Sequence, residues 1–152
     1  MRYFIDVFFN DVDYDSEEDK KLNKLWEEAH ENYKTHLETI QNRISIKVWD
    51  LISNNSLHDY RFQKLEIEDS LVGNYPLVIN LYFNKQRNQL IKYKGVRKFS
   101  SNYAGEDNLG YLGFGKCIVT ELLDVNEKYL SHELLFSTGA KIYIEFKKII
   151  IN

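Results

Sequence analysis

Apolar residues recur with a helical period over the first third of the chain. Their spacing of three or four residues continues for about eight turns, which is typical of an amphipathic helix. The apolar positions are Leu22, Leu25, Trp26, Ala29, Tyr33, Leu37, Ile40, Ile44, Val48, Leu51 and Ile52. Ser16 is placed to cap this helix, with Asp19 three residues later as a short version of the capping box. A straight helix over 16–53 would be about 57 Å long, so we expect a bend or a split near 30–36.

Beyond residue 57 the pattern changes to short strands separated by turn residues. The predicted strands are YRFQKLEIED (60–69), PLVINLYF (76–83), NQLIKYKGVRKF (88–99), KCIVTELLDV (116–125), YLSHELLFS (129–137) and AKIYIEFKKIII (140–151). The first three read as a meander, and the last two, joined at Thr138-Gly139, as a hairpin. The chain is therefore predicted to be a single α+β domain over 1–152. In it, a long N-terminal amphipathic helix precedes an antiparallel β-sheet or partly open barrel of about six strands over 57–151.

Composition favours one folded domain without covalent staples. The chain has 152 residues, 43% of them hydrophobic, which is enough for a sizeable core. The lone cysteine, Cys117, cannot form an internal disulfide and begins an apolar strand, so we expect it to be buried. The start has no signal-peptide pattern, and no stretch reaches the roughly 20 apolar residues of a membrane span. We expect a cytoplasmic protein that does not enter a membrane, with Trp26 and Trp49 in its core.

The formal net charge of −3 hides an asymmetry along the chain. Residues 1–69 carry a net charge of −7, and residues 70–152 carry +4. Two blocks account for the contrast: 6–19 holds seven acids and no base, and 85–98 holds six bases and no acid. Each block could meet an oppositely charged partner. The predicted partner-binding residues are Asp11, Asp13, Asp15, Lys92, Lys94, Arg97 and Lys98.

The basic block has several possible uses. Lysines alternate with apolar and aromatic residues along 91–99, as on a surface that binds single-stranded nucleic acid. The simpler interpretation is an exposed face whose lysines guard a sheet edge, and the acidity of the whole chain favours it. A third use is contact with an acidic protein, including the acidic block of a second copy of this chain.

His58 and Asp59 stand where the helical pattern gives way to the first strand. Adjacent residues of a strand point to opposite faces, so the two are poor partners for a catalytic dyad. Their order also resembles the His-Asp phosphohydrolases, but those are helical proteins that need further ligands, and we predict no metal and no cofactor. The simplest interpretation is that Asp59 caps a turn with His58 beside it. The alternative is a pocket shared with His132 or Glu133, which completes the candidate catalytic residues.

Two further patterns fit known sites only in part. Asp11, Asp13 and Asp15 have the spacing of the first three EF-hand ligands. However, Ser16 stands where that loop needs glycine, and Leu22 where it needs glutamate. The three glycines of GYLGFGK (110–116) do not fit a phosphate-binding motif, and a strand follows them. We therefore expect a solvated acidic turn and a surface loop at these two places.

Several stretches resemble a family of bacterial proteins, domain of unknown function 4085. They are LHDYRFQKLEIED, PLVINLYFN, QLIKYKGVRKF and SHELLFSTGAKIYIEFKKIII, which together span about 57–151. The family pattern has Trp-Leu-Tyr-Asp-Glu before the last hairpin, whereas CIVTELLDV here keeps only Glu121 and Asp124. The resemblance implies a bacterial α+β domain. Similar sheets entered by His-Asp occur in immunity proteins encoded beside bacterial toxins.

Three hypotheses from different classes follow. The first is a non-enzymatic protein-binding module of immunity type that uses the acidic or the basic block. The second is a small hydrolase or ligand-binding protein with a pocket near His58 and Asp59, and the third is a nucleic-acid binder that uses 85–98. We favour the first and expect no enzymatic activity. The long apolar helical stripe also makes a homodimer an open possibility.

Overall fold

The structure, a computed structural model, describes residues 1–4, 15–69, 77–85, 88–103 and 113–152. Within these residues the chain forms two α-helices and then eight β-strands. The helices are α1 (Glu17–Ile40) and α2 (Ile46–Ser53). The strands are β1 (Arg61–Glu68), β2 (Leu77–Asn84), β3 (Asn88–Val96), β4 (Lys98–Asn102), β5 (Cys117–Asn126), β6 (Tyr129–Phe136), β7 (Lys141–Phe146) and β8 (Lys148–Ile151). The predicted α+β class is confirmed.

The strands form two antiparallel sheets of four. The first sheet has the order β1-β2-β3-β8, and the second has the order β4-β7-β6-β5. The predicted meander is β1-β2-β3, and the predicted hairpin is β6-β7, so both are confirmed. The hairpin turn is tight: Phe136 N donates to Ala140 O at 2.9 Å, and Gly139 N donates to Phe136 O at 2.9 Å.

Buried side chains from both sheets meet in one core. Phe83 of the first sheet stacks on Phe136 of the second with ring centroids 6.5 Å apart, and Tyr93 meets the edge of Phe146 at 5.0 Å. Cys117 is buried in this core, as predicted, and burial raises the pKa of its thiol. Trp26 and Trp49 are partly buried and pack against the core. Among the described residues, no helix has the length and apolar character needed to cross a membrane.

The helical segment divides in two, but later than predicted. Ser16 caps α1 as expected, because its Oγ accepts a hydrogen bond from Asp19 N at 3.0 Å. The helix continues through 30–36, where the sequence has neither glycine nor proline, and ends at Ile40. After a 3₁₀ turn over Gln41–Arg43, Ser45 adopts extended backbone angles and caps α2, accepting from Val48 N at 3.4 Å. A second capping serine therefore sets the position of the split.

The prediction of a single sheet or partly open barrel of about six strands is wrong, because two predicted strands each cross from one sheet to the other. The segment 88–99 changes sheets at Arg97, between β3 and β4, and the segment 140–151 does so at Lys147, between β7 and β8. The two crossings lie side by side: Lys147 N donates to Lys94 O at 3.1 Å, and Arg97 N donates to Glu145 O at 3.0 Å. We call this region the corner.

A glycine makes the corner possible. Gly95 has φ of +67°, a left-handed conformation that residues with a Cβ adopt only at a cost. A Cβ added at Gly95 would also lie 3.0 Å from the Cβ of Lys147 on the neighbouring crossing. The positive φ of Gly95 and its close approach to Lys147 therefore both require glycine here.

Gly95→Ala is expected to lower the free energy of unfolding by about 1–2 kcal/mol through backbone strain, with a further loss because Lys147 must move. Gly113→Ala is the matched control, because Gly113 also has a positive φ of 97° but no atom within 4 Å of the added Cβ. Urea unfolding of both variants measures the difference. Equal destabilisation by the two substitutions would show that the crossings are not in close contact.

Candidate functional site

Six cations lie on or between the strands that meet at the corner. They come from both crossings and are Lys92, Lys94, Arg97, Lys98, Lys147 and Lys148. We call this group the basic corner. Lys94 of β3 stands directly opposite Lys148 of β8, so the two lysines share one face of the first sheet. The pairing of β3 with β8 thus brings together cations that are more than fifty positions apart in the sequence.

One buried carboxylate anchors the part of the basic corner that lies on the second sheet. Glu145 is only 6% exposed, and its Oε2 accepts a hydrogen bond from Arg97 Nε at 2.6 Å. Its Oε1 accepts from Tyr143 Oη at 2.6 Å and lies 4.0 Å from Lys98 Nζ. The hydrogen bond from Tyr143, and the charge of Arg97 after it, hold the pKa of Glu145 below its usual value although burial acts to raise it. Burial and this hydrogen bond raise the pKa of Tyr143 to about 12.

Two tyrosine rings support the same cations. The guanidinium of Arg97 lies 4.5 Å from the ring centroid of Tyr129, and Lys147 Nζ lies 5.6 Å from it. Lys98 Nζ lies 5.3 Å from the ring centroid of Tyr143. Cation–π contacts of this kind hold charged groups in place without neutralising them. These three cations therefore have defined positions.

The basic corner keeps most of its charge. Lys92 Nζ is paired with Glu68 at 3.3 Å, and Glu145 faces Arg97 and Lys98. Six cations against these two carboxylates leave a net charge of +4. Among the described residues, no carboxylate lies within ion-pairing distance of Lys94 or Lys148. Like charges directly opposite on neighbouring strands destabilise a sheet, so this pair costs stability in the isolated chain.

The structure locates most of the predicted partner-binding residues. Lys92, Lys94, Arg97 and Lys98 all belong to the basic corner. The interpretation of Lys92 and Lys94 as guards of a sheet edge is wrong, because β3 is an inner strand between β2 and β8. Asp11 and Asp13 lie outside the described residues, as does the whole of the loop segment 104–112. Asp15 is exposed, with its backbone N donating to Asp19 Oδ2 at 3.0 Å.

Lys147 and Lys148 were not predicted from the sequence. Both lie inside the last apolar segment, AKIYIEFKKIII, where two adjacent lysines interrupt the alternation. A strand that alternates cannot place two neighbours on one face, so this interruption was a signal for a bend at that point. It did not indicate which other segment the bend would meet.

His58 and Asp59 lie in a turn before β1 rather than on the strand. Asp59 has φ of +69°, and the turn brings His58 Nδ1 to 3.2 Å from Asp59 Oδ2. The prediction that adjacent residues would be poor partners was therefore wrong, because it assumed strand geometry. The two residues do lie in a turn, as predicted, and Asp59 N donates to Cys117 O at 2.9 Å, which ties the turn to the start of β5. Capping by the Asp59 side chain is not borne out among the described residues, where its carboxylate contacts the side chains of His58, Lys85 and Lys116.

Three basic side chains surround the Asp59 carboxylate. Besides His58, Lys116 Nζ lies 3.6 Å and Lys85 Nζ 3.8 Å from its oxygens. Desolvation acts to raise the pKa of Asp59, but the charges of His58, Lys116 and Lys85 together hold it below its usual value. The carboxylate is half exposed and already paired, which describes a surface ion cluster rather than a poised general base.

The other two candidate catalytic residues lie elsewhere. His132 is opposite Leu122 on β5, five residues beyond the Cys117 carbonyl that holds the Asp59 turn, and thus about 17 Å away along the strand. His132 is fully buried, whereas Glu133 faces the opposite side of the sheet and contacts the amino group of Met1. The structure does not bring these residues together with His58 and Asp59.

A buried glutamate that was not predicted as a site residue binds the start of the chain. Glu121 is 0% exposed, and its carboxylate accepts hydrogen bonds from the backbone N of Arg2, Tyr3 and Phe4 at 2.5, 2.7 and 2.9 Å. The ring of Phe4 then packs 4.8 Å from Trp26. Three N–H groups on one carboxylate form a strong anion site, which here is filled by the protein itself.

The remaining geometry gives no support to a reaction centre near His58. Two cavities are lined by residues that include Trp26 and His30 of α1, and neither is lined by His58 or Asp59. In the part of the chain that the structure describes, no three His, Cys, Asp or Glu side chains are grouped so as to hold a metal ion.

Comparisons with known proteins add no relative. No protein-family model, curated protein or solved structure matches this chain. The basic corner is therefore the candidate site on the basis of its geometry alone. It concentrates positive charge, Glu145 and two tyrosine rings hold three of its cations, and Lys94 and Lys148 repel each other.

Proposed function

We propose that this chain is a non-enzymatic protein-binding module of immunity type, and that the basic corner binds an acidic surface of its partner. The pair Lys94 and Lys148 carries the proposal. Two opposed lysines on inner and outer strands cost stability unless something negative meets them, and a carboxylate from a partner would remove that cost. Residues retained at a cost to stability are candidates for function.

The supports of the basic corner favour a folded protein as the partner. Arg97, Lys98 and Lys147 are held by Glu145 and by tyrosine rings, so few side chains need to be ordered on binding. Preorganised charges give specificity and fast association. Tyr129 and Tyr143 have these cations over their rings, whereas single-stranded nucleic acid needs aromatic faces on which its bases can stack.

The cluster around Asp59 supports the hydrolase alternative less well. Its carboxylate already contacts three basic side chains on the surface, and the two cavities described above are lined by residues of α1 and not by His58 or Asp59. A ligand-binding protein normally buries most of its ligand in a concave pocket. The alternative remains a hypothesis without an observation in its favour.

Charge reversal at the basic corner should slow association with the partner. The double variant Lys94→Glu/Lys148→Glu is expected to reduce the association rate constant by roughly 10- to 100-fold at low salt, and the loss should shrink as salt is added. The two side chains have no ion pair among the described residues to lose, so the fold should be retained. Partner captured from lysate of the source cells at low salt and identified by mass spectrometry would be measured by surface plasmon resonance.

The matched control is Lys34→Glu/Lys128→Glu, which makes the same change in net charge at exposed positions on α1 and in the β5-β6 turn. It should slow association only slightly. Equal effects of the two double variants would reject the basic corner as the binding surface. Recovery of nucleic acid alone, sensitive to the corner variant, would instead favour the nucleic-acid alternative.

A further inference from the structure

The outer strands β5 and β1 differ in how far other described parts of the chain cover them. On the second sheet, α1 covers β5, and Tyr33 Oη accepts a hydrogen bond from the backbone N of Leu122 at 2.7 Å. On the first sheet, the outer strands are β1 and β8, and β1 pairs with β2 on one side. Among the described residues, the outer side of β1 is bonded at its start, where Arg61 bridges Lys116 and Phe62 N donates to Gly115 O at 3.2 Å.

Beyond Phe62 the outer side of β1 is open to the described part of the chain. No described residue forms a backbone hydrogen bond with the outer side of 63–68. Leu65 and Ile67 face inward opposite Leu81 and Ile79, yet Ile67 is still 50% exposed. An open edge with half-covered apolar side chains is a template for another strand. We call residues 63–68 the free edge.

The charges of the free edge are self-complementary. Lys64, Glu66 and Glu68 alternate on the outer face of the sheet, and Lys64 and Glu66 already form an ion pair within the chain. In an antiparallel pair of two free edges related by a two-fold axis at Leu65, Lys64 of each copy stands opposite Glu66 of the other. A shift by two residues in one direction puts Lys64 opposite Lys64, and in the other direction Glu66 opposite Glu66. Charge therefore favours the register centred on Leu65.

We propose that the free edge binds the free edge of a second copy of this chain, antiparallel and centred on Leu65. The two first sheets then join into one sheet of eight strands, with the two Ile67 side chains covered near the junction. The interface is isologous, since each copy supplies the same lysine and the same glutamate. It is centred on β1, two strands from β3, and its pairing residues Lys64 and Glu66 form no ion pair with the basic corner, although Glu68 at its end pairs with Lys92. The proposal does not rest on the proposed function.

The interface is short, so the dimer should be weak. A β-bulge between Phe62 and Lys64 interrupts the regular ladder on the side of β1 that faces β2 and limits the self-pairing segment to about five residues per copy. Small interfaces of this kind belong to transient complexes, and we expect a Kd of about 1–100 µM. Each copy also carries a net charge of −3, so the dimer should be examined at moderate salt.

A charge-swap series tests both the surface and the register by sedimentation velocity over a wide range of protein concentration. Lys64→Glu places carboxylates opposite each other, and Glu66→Lys places ammonium groups opposite each other. Each single variant should raise the dimer Kd by roughly tenfold. The double variant Lys64→Glu/Glu66→Lys restores both opposite-charge pairs and should return the Kd to within about threefold of the original value. Circular dichroism melting of all variants checks that they remain folded.

Hydrogen exchange gives a second measurement that needs no substitution. Amides of 63–68 should exchange more slowly as protein concentration rises, while those of β5 should not change. A wild-type chain that stays monomeric to millimolar concentration would overturn the proposal. The proposal would also be overturned if the single substitutions left the dimer Kd unchanged, or if the double variant did not return the Kd toward the original value.

Discussion

Glu121→Ala is expected to lower the free energy of unfolding by about 3–5 kcal/mol. The carboxylate accepts three hydrogen bonds from the backbone N–H groups of Arg2, Tyr3 and Phe4, and no substitution can remove those donors. Phe4 is buried, with its ring centroid 5.5 Å from that of Tyr33. Without Glu121 its N–H either stays buried and unpaired or leaves the core together with its ring, and both outcomes are costly.

Two variants separate this effect from a general loss of charge. Glu121→Gln keeps one carbonyl oxygen as an acceptor in a side chain of the same size, so it should lose only part of the stability. Glu127→Ala removes an exposed glutamate from the turn after the same strand and should change stability by less than about 0.5 kcal/mol. Urea unfolding measures all three variants, and hydrogen exchange of residues 2–4 reports the local release. If Glu121→Ala were as stable as Glu127→Ala, the start of the chain would not be bound to this carboxylate in solution.

Local signals predicted the local structure well. Ser16 caps α1, the Thr138-Gly139 turn joins β6 to β7, and Cys117 is buried, each because residues within a few positions decide the outcome. The late split of the helical segment had a local signal as well, in Ser45 after a stretch without glycine or proline. A capping serine in the middle of a helical pattern, such as Ser45, can therefore mark the start of a second helix.

The corner depends on contacts that are distant in the sequence. The segments 88–99 and 140–151 each read as one apolar strand, and only their mutual packing explains why both bend at Gly95 and Lys147. For the same reason, four of the six cations of the basic corner were predicted from residues 92–98, and Lys147 and Lys148 were not. The packing of the whole core decides which remote strand pairs with a given strand. The spacing of residues along one strand does not predict that pairing.

The role of Glu121 could not be predicted from the sequence. This residue lies in the apolar strand CIVTELLDV, where an acid is usually read as an exposed position. Its partners are backbone N–H groups, which every residue has, so no partner residue could be found by searching the sequence. The positions of Leu130 and Leu134 did contain a signal for His132, because residues two apart on a strand share a face, here the inward face of β6.

That inward histidine is expected to make the protein lose stability in mild acid. His132 is 0% exposed, and burial lowers its pKa from 6.5 to about 3. Its Nδ1 lies 2.6 Å from Tyr93 Oη, and its Nε2 has no hydrogen-bond partner among the described residues. The folded state therefore keeps the ring neutral, whereas the unfolded state takes up a proton below about pH 6.5. Stability is fully present above that pH and falls by about 1.4 kcal/mol per pH unit below it, roughly 2–3 kcal/mol between pH 7 and pH 4.5.

The double variant Tyr93→Phe/His132→Phe should remove most of this slope between pH 5 and 6.5, because it deletes the titrating ring and leaves no orphaned hydroxyl. His36, whose pKa is also lowered by burial, should account for the slope that remains. Carboxyl groups with a lowered pKa, such as Glu145, take up protons and lose their stabilising charge only below this pH range. They therefore do not contribute to the slope between pH 5 and 6.5. Urea unfolding at several pH values measures the slope in both proteins. An unchanged slope in the double variant would mean that His132 gains a proton in the folded state, which requires water or a hydrogen-bond acceptor to reach its Nε2.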